Sequence, residues 1–197
     1  MAGKAEKYFP PILRPITRNG GRVRKVKDGP PGQNDGGGPD YSVTPFIISV
    51  EVKNTDEDGT LTDAPTTEQR RVLDKYGGFV FLMLWDTGYP NLPKGADAFL
   101  VPWEEYKEWW DSKPKGKSYR RKPTVRGISV PDDWRRFYYL RWTNHGDESY
   151  YDVPLLNPFW ARWIEKVDKL YMLFGDYNKL KHTLGLDFID TDEVKHE

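Results

Sequence analysis

The chain contains no cysteine. That excludes disulfides, thiolate zinc sites and a cysteine nucleophile together. Histidine is scarce: His145, His182 and His196 are the only three, the last two near the C-terminus, and no H-E-x-x-H pattern occurs. A histidine-based zinc hydrolase is therefore disfavoured. No run approaches the roughly 18 uninterrupted apolar residues of a membrane span. The opening Met1-Ala2-Gly3-Lys4-Ala5-Glu6 lacks the apolar centre of a signal peptide. The expectation is a soluble, intracellular (cytoplasmic) protein of cellular or viral origin, with no membrane partner.

Net charge is also missing, since 30 basic residues balance 30 acidic ones. Its distribution is uneven. Residues 1–35 carry eight Lys and Arg against three Asp and Glu, and residues 113–142 carry ten against two. Two local basic segments on a neutral chain suit contact with a polyanion, whereas scattered solvated loops would not require such clustering.

What is present reads as alternating strands and helices. Residues 4–18 could open as a short helix, which Pro10 and Pro11 would end or kink. Arg22–Lys27 reads as a basic strand, and the Gly/Pro/Asn/Asp-rich stretch 28–39 as a loop. Tyr41–Val43 and Phe46–Val52 are short β-type runs. Thr66-Thr67-Glu68-Gln69 fits a capping box. It predicts a helix over about 68–76, with Val72, Leu73 and Tyr76 on its buried side, stopped by Gly77-Gly78. The apolar run Phe79–Trp85 predicts a strand covered on both faces. Ala98–Val101 predicts another strand, and Pro102 opens a helix through Trp110.

Residues 111–127 are basic and read as a linker or arm. Residues 128–153 are aromatic-rich, with Asp132 expected as a helix or turn cap. Asn157-Pro158 starts an amphipathic helix that places Trp160, Trp163, Ile164, Val167, Leu170, Tyr171 and Phe174 on one side. The order implies a mixed α/β layer fold, with residues 1–111 as the core and 112–197 as a basic linker and mainly helical, aromatic-rich extension. Tyr138, Tyr139 and Trp142 alternate with Arg135, Arg136 and Arg141; these rings are expected in the core rather than stacked on unpaired bases.

One constellation carries chemistry. Pro39-Asp40 precedes one strand, and after ten intervening residues Glu51-Val52-Lys53 ends the next. Residues two apart on a strand point to the same face, so Glu51 and Lys53 share one. If the two strands pair, Asp40 and Glu51 converge. Two hard oxygen ligands suit Mg²⁺, which Mn²⁺ would replace. Such an ion polarises a phosphate and activates water, and a neighbouring lysine stabilises charge developing on phosphorus.

These residues resemble the signature of the PD-(D/E)XK nuclease superfamily, and within it the archaeal-type and virus-type Holliday junction resolvases. Gly3-Lys4-Ala5-Glu6 is similar to an opening helix that supplies an acidic residue. The helix carrying Gln69 is similar to one that carries a glutamine. The resemblance covers about residues 1–110. It implies a restriction-endonuclease-like core, a mixed central sheet flanked by helices, and magnesium-dependent hydrolysis of DNA. Asp40 and Glu51 would bind metal, with the Val52 carbonyl adding a ligand. Lys53 would position or activate water, and Glu6 and Gln69 would join the site. Arg22, Arg24, Lys25, Lys27, Lys117, Arg120, Arg121 and Lys122 would contact DNA. Opposed cuts in a branched substrate would require a homodimer. A restriction-type or repair nuclease of the same fold, a non-catalytic nucleic-acid-binding protein and an aromatic protein-interaction module are the alternatives.

Overall fold

The computed structural model describes residues 5, 8, 22–25, 41–44, 48–56, 59–61, 67–85, 95–117, 123–124, 128–145, 148–154, 157–159, 161–162 and 165. Glu6, Lys27, Asp40, Arg120, Arg121 and Lys122 lie outside these residues. So do the predicted first helix, apart from Ala5 and Tyr8, and most of the predicted last one.

The chain opens its sheet with an antiparallel meander. β1 (Arg22–Lys25) pairs with β2 (Tyr41–Thr44), which pairs with β3 (Ile48–Asn54). Helix α1 (Thr67–Tyr76) then carries the chain back, and β4 (Phe79–Leu84) enters parallel to β3. β5 (Asp97–Pro102) runs antiparallel to β4. α2 (Trp103–Ser112) begins directly after it, with Pro102 at its N-cap. β6 (Gly116–Lys117) and β7 (Pro123–Thr124) make a separate two-stranded ladder. α3 (Asp132–Phe137) leads into β8 (Tyr139–His145) and β9 (Glu148–Asp152). The main sheet has the order β1-β2-β3-β4-β5-β8-β9. It is a mixed open sheet with helices, an α/β fold. Among the described residues no helix is long and apolar enough to cross a membrane.

Local chemistry explains the turns around α1. Gly77 has φ +67° and its N–H donates to the Leu73 carbonyl at 2.8 Å, so the glycine takes the left-handed position that ends helices. Gly78 is required by space. A Cβ there would stand 2.6 Å from the Ser49 carbonyl oxygen and 2.7 Å from Leu73 Cδ2. The Gly78 carbonyl in turn accepts from the Trp103 N–H at 3.0 Å, tying the start of α2 to the same corner.

The two faces of the sheet are covered differently. Leu73 of α1, Trp103, Tyr106, Trp109 and Trp110 of α2, and Trp134 of α3 pack with Val80, Leu82, Phe99 and Val101 in one core cluster. Tyr138 joins it, donating its hydroxyl to Glu105. Burial, reinforced by that carboxylate, holds the Tyr138 hydroxyl well above the usual tyrosine range. On the other face Phe159 meets Phe79 edge-on at 5.4 Å, and Tyr151 meets Phe81 at 5.9 Å. β9 stands three strand spacings from β4, about 14 Å in a flat sheet. The Tyr151–Phe81 contact therefore requires the β8–β9 ribbon to curl over this face. β8 pairs with β5 only at Tyr139 and Leu140, which leaves the ribbon free to bend.

Two expectations are corrected. Tyr76 is 69% exposed, and only Leu73 of the three named residues is fully buried. Among the described residues of 112–152, the short α3 leads into a ribbon of β8 and β9. Asp132 starts α3 but makes no side-chain cap; the capping position is Pro131. The expected cap at Asn157 is present. Its Oδ1 accepts from the Phe159 N–H at 2.9 Å, and its buried amide donates to the Leu100 carbonyl at 3.2 Å.

Candidate active site on strand β3

β3 alternates two kinds of residue. Ile48, Val50 and Val52 point to the face covered by Phe159. Ser49, Glu51 and Lys53 point the other way, toward α1 and α2, because Glu51 and Lys53 stand opposite Val80 and Leu82 of the helix-side core in the ladder. Thr55 continues that row by alternation. Its hydroxyl donates to the Trp85 carbonyl at 3.0 Å and accepts from the Trp85 N–H at 2.9 Å. Ser49, Glu51, Lys53 and Thr55 thus form a file of polar side chains, all buried, on a face otherwise filled with Leu, Val and aromatic rings.

Glu51 and Lys53 hold each other. Lys53 Nζ lies 2.6 Å from Glu51 Oε1, and the Glu51 residue is 0% exposed and Lys53 7%. The sequence placed both on one face, as found. The lysine is enclosed, and its charge is balanced by a carboxylate two residues away.

Gln69 lies half-buried in the first turns of α1. It precedes Leu73 by four residues, hence shares its inward face. Leu73 sits beside Ser49 at the Gly78 corner. α1 returns against the direction of β3, so one helical turn, about 5.4 Å, matches two strand residues, about 6.6 Å. By that rise Gln69 stands at the height of Glu51.

Val52 contributes backbone to the centre of β3 while its side chain is buried on the opposite face. β2 pairs with β3 only as far as Tyr41 opposite Val50. Tyr41 follows Asp40 in the chain, and Val50 precedes Glu51. Beyond that pair β3 runs on past the described part of β2 while it stays paired with β4 from Val50 to Asn54. The convergence of Asp40 on Glu51 and the place of Glu6 lie outside the described residues. Among the described residues no group of three or more His, Asp or Glu is placed to hold a metal ion. Glu51 fits the chemistry of one ligand: it is a hard, anionic oxygen donor that already attracts a cation, the ammonium of Lys53, to 2.6 Å.

Of the expected DNA-contacting residues, Arg22, Arg24 and Lys25 lie together on β1, the edge strand, and Lys117 lies in β6. Lys27, Arg120, Arg121 and Lys122 lie outside the described residues. The nearby Lys113 and Lys115 cover the rings of Trp109 and Trp110 at 5.5 and 5.6 Å. Arg135 is paired with Asp97 at 2.8 Å and lies over Phe99. Ser49 and Thr55 were missed as members of the polar file, although the period-two spacing from 49 to 55 carried the signal.

Between α1 and α2, Asp74 accepts from Lys107 and from the Trp103 indole, both at 2.8 Å, and Arg70 donates to Asp111 at 2.8 Å. Hydrogen bonds from Lys107 and Trp103 hold the Asp74 carboxyl below its usual range, and the bond from Arg70 does the same for Asp111. This network joins α1 to α2. Comparison with protein-family models, with curated proteins and with solved structures finds no match to this chain.

Proposed function

We propose that this protein is a magnesium-dependent DNA endonuclease with a restriction-endonuclease-like core, in which Glu51 and Lys53, with Asp40, form the centre of the site. The observation that carries the reading is the buried pair on β3. Replacing a buried ion pair by apolar residues is often neutral or stabilising, so stability alone does not account for a carboxylate and an ammonium enclosed under aromatic helices. Catalysis does, because charges fixed in a water-poor site act strongly on a reacting group.

Asp40 and Glu51 would hold the magnesium ion, with the Val52 carbonyl as a further ligand and manganese as a substitute. When bound, that ion supplies Lewis acidity at the scissile phosphate and a more acidic attacking water. Lys53 donates to the phosphoryl oxygens as negative charge grows on them, or holds the attacking water in line. Gln69 orients that group from the level of Glu51, with Glu6 as a further member. The basic strand β1 and the arm through Lys117 bind phosphates without regard to base. Branched DNA cut by a symmetric dimer is the favoured substrate arrangement within this reading.

The test is a panel of four-way junction, flap, single-stranded and linear duplex DNA, each incubated with Mg²⁺. Cleavage is expected to stop in excess chelator. Asp40→Asn and Glu51→Gln are expected to reduce it by orders of magnitude while DNA binding persists. Full activity in either variant overturns the reading, and binding without cleavage by the wild type would identify a non-catalytic DNA-binding protein.

A further inference from the structure

We propose that Lys53 holds the cation position at Glu51 and must leave it for a divalent ion to bind there, so that ammonium and metal compete for one carboxylate. The inference deepens the nuclease reading and rests on it.

Three observations carry it. The ammonium stands 2.6 Å from Glu51 Oε1, at the outer limit of the 2.0–2.6 Å at which Mg²⁺ and Ca²⁺ sit from their oxygen ligands. The carboxylate is 0% exposed and the lysine 7%, so little water screens an ion from the ammonium. A divalent ion bonded to either oxygen would therefore face a like charge at close range in a medium that does not weaken the repulsion. Finally, Lys53 reaches Glu51 by a flexible four-carbon stem from a neighbouring position on the same strand. It can leave that contact without any movement of β3.

The consequence is a built-in order of events. Without a cation, Lys53 neutralises Glu51 and is itself engaged. An ammonium displaced from Glu51 would be free to donate to the phosphate of a bound substrate. The lysine is thereby released for the reaction by the same step that loads the metal.

The sign of one measurement separates this from a merely structural ion pair. In the full chain, Lys53→Met and Lys53→Gln are compared with wild type and with Glu51→Gln. Ca²⁺ and Mg²⁺ are titrated by calorimetry and by cation-dependent melting. Removal of the competing ammonium is expected to tighten cation binding by about tenfold or more while cleavage is lost, and Glu51→Gln is expected to weaken binding. If Lys53→Met folds only when cation is added, that also supports the proposal, since the ion then takes the ammonium's place. Equal or weaker affinity in both lysine variants, with a wild type that binds, overturns the competition and leaves the nuclease reading standing. So does failure of both variants to fold at saturating cation. A wild type that binds neither ion and cuts no DNA overturns the nuclease reading itself, and the competition with it.

Discussion

At the scale of single residues, the proposed nuclease reading turns on Glu51 and Lys53. An exposed strand-end lysine contributes within about ±0.5 kcal/mol. Enclosed beside a buried carboxylate, it contributes far more. Lys53→Ala leaves Glu51 enclosed without its cation, and about 3–5 kcal/mol of stability is expected to be lost. Removing both charges is a different experiment. The double variant Glu51→Leu, Lys53→Met is expected to match or exceed the wild type in urea denaturation and to have no nuclease activity. A double variant markedly less stable than wild type would show that the pair is retained for the fold. The pairing of positions 51 and 53 was legible from their spacing alone. Their burial was not, because Ile48-Ser49-Val50-Glu51-Val52-Lys53 has the alternation of a strand with one wet face. α1 lies against β3 on that side, and no local pattern in β3 announces it.

At the scale of elements, the site is set by the corner where α1 ends and β4 begins. Gly78 lets Leu73 and the Ser49 backbone approach closely enough for α1 to lie on the polar file. Gly78→Ala forces the Ser49 carbonyl, a backbone group, to move. The expected loss is about 1–3 kcal/mol, together with reduced cleavage, since Ser49 lies two residues before Glu51. A variant with wild-type melting temperature and turnover would show that the corner has room to give. Gly77-Gly78 was readable as a helix stop; its second role, close packing against β3, depends on a contact about thirty residues away in sequence. The run Phe79–Trp85 was readable as a buried strand because it has no polar phase. β8 and β9 were harder. Tyr138–Trp142 and Tyr150–Tyr151 interleave aromatics with arginines and acids without a clean period. Their strand state comes from pairing with β5 and with each other.

At the scale of the whole molecule, the sheet does not stop at residue 111. β8 extends it beyond β5, and Trp134 packs against Trp109 at 5.1 Å and Phe99 at 6.4 Å. A chain ended after Ser112 would uncover those rings together with the free edge of β5, a combination that favours aggregation. Such a truncation is expected to be insoluble or to melt without cooperativity. A soluble fragment with a sharp thermal transition would mean that residues 1–111 form a self-sufficient core. The outcome bears on the proposed site as well, because α3 and the start of β8 brace α2, and α2 is tied to α1 through Asp74 and Arg70.

The enclosure of β4 has a kinetic side. Its side chains are buried on both faces, with only Leu84 partly exposed, and its two edges are paired with β3 and β5. No fraying of an end or swing of a loop can bring water to its peptide groups. Their hydrogens exchange with solvent only when the sheet as a whole comes apart. The protons of Val80 to Met83 are thus a clock for global opening, and one that any ion gripping the neighbouring strand would slow.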